Sequence, residues 1–327
     1  MKLSLVGSFN LADGYLGAAK ALERKGWEVS FVPAHWYRND YGSAHINKII
    51  EDLKEQKPDV VLWWRGETLT ADQFRQAREE IDFAKFILYS WDDPYQWEMH
   101  QELPEKCEFL DMAFTCCHSS IEEYKKNGCD AFYCPPGFDP EVHYPEESEE
   151  HKCDISIVCT NLYHGSLLTR YPHLSRKFLL DSIIRSIPGI DLKIYGFENF
   201  KEAYPNHYAG WIPFNESRKV FHNSKINIST HIRPDGYMYI NERVTQILGS
   251  GGLLMVDYVN GIDKVLWGDD VSKKSAIIID PMGFSNQIKD ILGNYEKFEE
   301  IKKNGYEKAM NCFTWDNWAE TIIGELI

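Results

Sequence analysis

Short apolar runs alternate along this chain with stretches of helical spacing. Leu3-Ser4-Leu5-Val6 predicts a first strand, followed by a loop containing Gly7, Gly14 and Gly17. Tyr15 to Lys25 places Leu16, Ala19 and Leu22 at helical intervals and stops at Gly26, a residue suited to a helix C-terminus. Val29 to Val32 predicts the second strand. Ile46 to Gln56, with Ile49, Ile50 and Leu53 on one face, predicts a helix. After Pro58, Asp59 to Trp64 predicts a third strand, and Phe86–Tyr89 and Met112–Thr115 two more. These strands are almost continuously apolar rather than alternating, as in a parallel sheet covered on both faces.

Residues 139–152 (DPEVHYPEESEEHK) carry two prolines, five glutamates and almost no apolar side chains, and they read as a linker. The strand–helix rhythm then restarts. Strands are predicted at Asp154–Val158, Leu192–Gly196, Lys225–Ser229, Leu253–Val256 and Ala276–Ile279. Helices are predicted at Ser175–Ser186, Glu216–Asn223 and Ile240–Leu248. The expected organisation is α/β, with two Rossmann-like, doubly wound parallel-sheet domains facing a cleft. The domains would span 1–140 and 151–305, a shape that fits one substrate on each with chemistry between. The helical segment 306–327 could pack back on the N-terminal domain. Sheets of this kind bind ligands at the carboxyl ends of their strands.

The composition is globular, with 43% apolar and 26% charged residues among 327. A formal charge of −15 disfavours binding to a long nucleic-acid backbone, although a helix terminus can still hold a small anion. Of the eight cysteines, none forms a C-x-x-C pair. Cys116 and Cys117 are adjacent on a predicted strand and point to opposite faces, so no metal site is expected and the thiols read as reduced, in a cytoplasmic protein. The opening MKLSLVGSFN reads as a strand, not a signal peptide, and no apolar run approaches the length of a membrane span.

The segment Ile228 to Asp257 (ISTHIRPDGYMYINERVTQILGSGGLLMVD) carries the strongest chemical pattern. A strand ends, a loop follows, and a helix starts near Tyr239–Asn241. The unpaired N–H groups and partial positive charge at that start suit a diphosphate, and Arg243 in the first turn adds a cation. Gly251 and Gly252 allow a tight turn and close ligand approach. A plain strand–helix–strand unit whose glycines only cap the helix fits the spacing as well.

An ordered series resembles the CgeB-like (spore-maturation-protein-like) glycosyltransferases, a GT-B family. Its members are Asp92-Asp93-Pro94, Phe114-Thr115, Lys126-Asn127-Gly128, Pro135 to Pro140, Cys153 to Ser156, Ile194-Tyr195-Gly196, Ile226 to Ser229, Asn241-Glu242-Arg243 and Gly251 to Leu254. The resemblance runs from about residue 85 to 320. It implies a retaining hexosyl- or pentosyltransferase that needs no metal or other cofactor, with the acceptor on domain 1–140 and a nucleotide-diphosphate sugar on domain 151–305. Arg243 and Arg233 would neutralise the leaving diphosphate, with Arg170 and Lys193 as further cations. Tyr239, Asn241, Glu242, Gly251 and Gly252 complete the expected donor site. Related retaining enzymes place two glutamates eight positions apart; here those positions are Met238 and Gln246. Gln246 can still accept a ribose hydrogen bond through its carbonyl, and Asp235 or Glu242 could take over the sugar contact.

In the N-terminal half, Gly7 to Gly14 resembles the first loop of GT-B folds, adding Gly14 to the donor list. If the reaction inverts, a general base must touch the acceptor hydroxyl, and Asp93, Asp92, His118 and Asp13 are the candidates. If it retains, the leaving phosphate can serve. Asp92 and Asp93 could instead cap a helix, and His118 could be structural. Two alternatives remain, a GT-B-fold sugar-nucleotide epimerase and an inactive nucleotide-sugar-binding protein. The acceptor (glycan, lipid, protein or modified nucleic acid), the donor base and sugar, and the oligomeric state are not fixed by the sequence.

Overall fold

A computed structural model of the chain describes residues 1–9, 14–66, 68–100, 102–162 and 176–327. These residues divide into two compact units. The first comprises Met1–Gly137, Gly236–Asn241 and Trp315–Ile327, and the second comprises Phe138–Asp235 and Glu242–Thr314.

The first unit is built on strands β1 (Lys2–Gly7), β2 (Glu28–Val32), β3 (Val60–Trp64), β4 (Lys85–Ser90), β5 (Met112–Thr115) and β6 (Ala131–Tyr133). All are parallel, in the order β2-β1-β3-β4-β5-β6. The pleat sends alternate residues of β3 to opposite faces. Val61 and Trp63 pack with Ile49, Leu53, Phe74 and Phe86 under the helices His45–Gln56 and Ala71–Glu80. Val60, Leu62 and Trp64 pack with Ala18 and Leu22 of the helix Tyr15–Arg24 on the other face.

That second face is completed from the far end of the chain. Trp315, Trp318 and Ile322 of the helix Trp315–Leu326 join the same cluster. Gly17 lets the Trp315 ring approach, since a Cβ there would lie 2.3 Å from it. Arg24–Asp316 (2.9 Å) and Lys25–Glu320 (2.5 Å) add surface ion pairs.

The second unit contains β7 (Cys153–Val158), β8 (Leu192–Tyr195), β9 (Tyr208–Gly210), β10 (Ser224–Ser229), β11 (Leu254–Val256) and β12 (Ile277–Ile278). These are also all parallel, in the order β12-β11-β10-β7-β8-β9. This is the strand order of a dinucleotide-binding fold, with the direction of winding reversing between β7 and β10. Its core joins Ile155, Ile157, Ile194, Ile226 and Ile228 to Leu179, Leu180 and Ile183 of the helix Arg176–Ser186. Asn227 is buried within β10, where its amide accepts from Ser156 Oγ (2.8 Å) and donates to Phe221 O (2.8 Å).

The acidic stretch 139–152 is tied into this unit. His143 is buried against Ser217 Oγ (3.3 Å), Arg218 donates to Glu146 (2.5 Å), and His222 meets Glu147 (3.3 Å). Its prolines and glutamates suggest a free linker, but the basic helix Ser217–Asn223 gives the carboxylates local partners.

Candidate functional site

The carboxyl ends of β7 and β10 flank the point where the second sheet reverses its winding, the place where such sheets take ligands. Two arginines meet there. Arg176 opens the helix Arg176–Ser186 and is almost fully buried. Its Nε donates to Thr230 Oγ1 (3.0 Å), Nη1 to Asn161 O (2.6 Å) and Nη2 to Thr230 O (3.3 Å). These acceptors fix the guanidinium in place.

Arg243 is the second residue of the helix Glu242–Gly249. The residue is half-buried, and its Nε is buried with no hydrogen-bond partner among the described residues. Burial, and then repulsion from Arg176, lowers its pKa to about 10. The Cys159 thiol just beyond β7 is raised by burial, and both arginines moderate the rise. Two like charges drawn together out of water are costly unless an anion joins them. A diphosphate provides several oxygens for two planar forks and for a helix N-terminus.

Beside this pair, His231 follows β10 and Asp257 follows β11, both buried. Asp257 accepts the His231 backbone N–H on both oxygens (3.1 and 3.0 Å), while His231 Nδ1 lies 2.6 Å from Asp257 Oδ1. A carboxylate can only accept in this geometry, so Nδ1 carries the proton. The pair locks the ends of adjacent strands.

On the other side, Phe197 follows β8 and Trp211 follows β9. Their rings stack at 5.4 Å and 8°, yet they remain 50% and 59% exposed. Gly196 brings this corner against the Cys159 carbonyl, where a Cβ would lie 2.3 Å away. With strands about 4.8 Å apart, β9 stands roughly 10 Å from β7. That is about the span from a diphosphate to its nucleobase.

The remaining expected donor residues are distributed as follows. Gln246 is buried one turn after Arg243, and among the described residues its side chain makes no hydrogen bond. Glu242 opens the same helix. Arg233 and Asp235 form a two-pronged pair with each other (2.7 and 2.8 Å).

Three of the expected donor residues, Lys193, Gly251 and Gly252, lie elsewhere in the second unit. Lys193 lies within β8 and donates to Glu150 O (2.7 Å), ahead of β7 and away from the two arginines. Gly251 and Gly252 sit at the amino end of β11, because the helix Glu242–Gly249 runs back across the sheet. There they relieve packing. A Cβ on Gly252 would lie 2.4 Å from Phe221 O, and one on Gly251 3.1 Å from Pro145. Arg170 and Asp13 lie outside the described residues.

Tyr239 and Asn241 belong to the first unit, within the inserted segment Gly236–Asn241. Here His118 N–H donates to Tyr237 O (3.0 Å) and Tyr237 N–H donates to Ser119 Oγ (3.1 Å). A Cβ on Gly236 would lie 2.9 Å from Cys117 Sγ. Gly14 also lies in the first unit, with φ 65° ahead of the helix Tyr15–Arg24.

Asp92 and His118 follow β4 and β5 of the first unit. Asp92 pairs with Arg65 Nη2 (2.7 Å), and His118 is exposed with its ring against Tyr237. Asp93 differs from both. It is fully buried, accepts from Tyr124 OH (3.1 Å), and its pKa is pushed up to about 7. Burial drives the shift and outweighs the Thr115, Ser90 and Tyr124 hydroxyls, which favour the carboxylate. Such a group is out of an acceptor's reach, so Asp93 is corrected from candidate base to core residue. Among the described residues, no three His, Cys, Asp or Glu side chains gather to hold a metal, and no helix is long and apolar enough to cross a membrane.

Residues 175–324 match the family model described as glycosyl transferase-like. No curated protein matches the chain. Over its whole length the structure is similar to three solved proteins of low sequence identity. Sucrose-phosphate synthase from Thermosynechococcus elongatus superposes with a TM-score of 0.71 at 12% identity, covering 100% of this chain and 98% of that one. HepE from Anabaena, in complex with UDP and glucose, superposes at 0.68 and 11%, covering 100% and 99%. A candidate UDP-N-acetylglucosamine 2-epimerase from Listeria monocytogenes superposes at 0.59 and 11%, covering 99% and 95%. The fold is therefore GT-B, with two six-stranded parallel sheets of the Rossmann type.

Proposed function

We propose that the chain is a glycosyltransferase that takes its sugar from a nucleotide-diphosphate donor bound in the second unit. One observation carries the reading. Arg243 is half-buried within the electrostatic reach of Arg176, and its buried Nε has no hydrogen-bond partner among the described residues, where the second sheet reverses its winding. The arrangement is costly without an anion and suits a diphosphate. The glycosyl transferase-like match over residues 175–324 and the shared fold with HepE, solved with UDP, support a sugar nucleotide as that anion.

In this reading the two guanidinium groups and the N–H groups at the start of the helix Glu242–Gly249 stabilise the leaving diphosphate, so no metal is needed. Gln246 meets the ribose, and Phe197 and Trp211 face the base. Asp235 or Glu242 contacts the donor sugar, with Arg233 holding Asp235. If the configuration is retained, as the CgeB-like resemblance implies, a leaving-phosphate oxygen takes the acceptor proton. If it inverts, Asp92 or His118 is the remaining described candidate for the base.

Incubating the full chain with UDP-, GDP-, TDP- and CMP-sugars tests this reading. A transferase releases free nucleotide slowly even without an acceptor. An epimerase, whose fold this chain shares, would instead give a new sugar nucleotide. Binding without either product would indicate an inactive relative.

A further inference from the structure

The cavity with the greatest volume among those described lies in the first unit, far in sequence from the arginine pair. It measures about 630 Å³, within the range of small-molecule sites. Three successive carboxyl-edge loops form it. Arg38 and Ser43 come after β2, Thr68 and Thr70 after β3, and His100 and Lys106 after β4. The carboxyl edge is where a doubly wound sheet takes a ligand.

The described lining includes two cations. Lys106 is 95% buried and donates to Gly66 O (3.2 Å). Arg38 lines the same cavity and is exposed. His45 ties two of the loops together, with Nδ1 2.8 Å from Gly42 O and Nε2 3.0 Å from Thr68 O. Thr70 and Gln73 close a reciprocal capping box at the end of the loop after β3, and Gln73 also donates to Ser43 O (3.1 Å). Among the described residues lining the cavity, the carboxylate is Glu102. Its Oε2 accepts the Ala71 N–H (2.6 Å) at a helix N-terminus, which offsets its charge.

The described lining thus sets two cations, Arg38 and Lys106, beside one carboxylate, on a chain whose formal charge is −15. Burial lowers the pKa of His100, and Lys106 and Arg65 lower it further. Arg65 itself is held at φ 73° by backbone and side-chain contacts, including its pair with Asp92, on the same edge. A left-handed arginine is a strained conformation that persists only where its surroundings fix it.

We propose that this pocket recognises an acceptor of sugar size that carries an oxyanion, either a phosphate or a carboxylate, seated between Arg38 and Lys106. The acceptor role rests on the transferase reading. The affinity for an anionic sugar does not, and it can be measured without a donor.

The test is calorimetric titration of the full chain with inorganic phosphate, glucose 6-phosphate, glucuronate and glucose, in parallel with UDP. The wild type, Arg38→Glu, Lys106→Met and Arg243→Met are compared. Phosphate or an anionic sugar is expected to bind at least tenfold more tightly than glucose, roughly the effect of one or two charge-assisted contacts. Glucose 6-phosphate and glucuronate distinguish the two anions. Arg38→Glu and Lys106→Met should weaken this binding about tenfold or more, while Arg243→Met leaves it intact and weakens UDP. Arg38 is on the surface, so its variant remains informative if Lys106→Met does not fold. The proposal is overturned if glucose binds as well as the anions, or if Arg38→Glu changes nothing. UDP binding that survives such a result would leave the donor reading standing.

Discussion

Arg176 and Arg243 lie within electrostatic reach of one another, where Thr230 and Asn161 fix the first and, among the described residues, no hydrogen-bond acceptor meets the buried Nε of the second. In the free protein Arg243 is therefore a burden on stability. Arg243→Met should leave the melting temperature of the ligand-free chain unchanged or raised. It should also abolish the stabilisation given by a nucleoside diphosphate. Thermal unfolding with and without UDP measures both, and a variant melting well below wild type would contradict the assignment.

Phe197 and Trp211 are exposed, so replacing either with alanine should not disturb folding. If they face the base, each change should weaken UDP binding by about 1–3 kcal/mol, the usual scale of aromatic–base stacking. Inorganic pyrophosphate has no base, and its affinity should not change. Equal losses for both ligands would show that the rings act on folding or on the phosphates.

Gln246 is buried one turn beyond Arg243. If it meets the ribose, Gln246→Glu should retain or improve nucleotide affinity, because a carboxylate can accept from both ribose hydroxyls. Gln246→Leu should lose roughly 1–3 kcal/mol by leaving those hydroxyls unpaired. Identical affinities in the three proteins would remove Gln246 from the site.

Asp93 gives a pH signature. Its folded-state pKa is raised to about 7, so the native protein holds a proton that the unfolded chain has already released. The associated stability is complete below the unfolded carboxylate value and is lost as pH rises through about 7. Asp93→Asn should remove this loss, so that its melting temperature gains on wild type between about pH 5 and pH 8. A constant difference across that window would show that Asp93 does not titrate there.

Most of the sheet architecture was legible because buried parallel strands are continuous apolar runs. Leu3–Val6, Asp59–Trp64 and Lys225–Ser229 each lie within a residue or two of an observed strand. β6 and β9 were not read, since Ala131–Tyr133 and Tyr208–Gly210 are three-residue edge strands without such a run. Arg243 stood out from its place at a predicted helix start.

Arg176 also stood near the start of a predicted helix, Ser175–Ser186, but without a recognisable motif around it. Phe197 and Trp211 also had a signal, an aromatic residue directly after a strand-ending glycine. The pairing of His231 with Asp257 depends on β10 and β11 being neighbours, which spacing alone does not give. Gly251 and Gly252 misled because glycine serves packing and ligand approach equally well. Only the direction of the helix Glu242–Gly249 separates the two uses.

The most direct measurement is calorimetric titration of the wild type and Arg243→Met with UDP, GDP, TDP and CDP at one ionic strength. At least one nucleotide should bind the wild type saturably at a single site. Arg243→Met should weaken that nucleotide by about 1.5–3 kcal/mol, the scale of one charge-assisted contact, while melting no lower than wild type. No binding of any nucleotide to the wild type, or equal affinity in the variant, would contradict a donor site at Arg176 and Arg243.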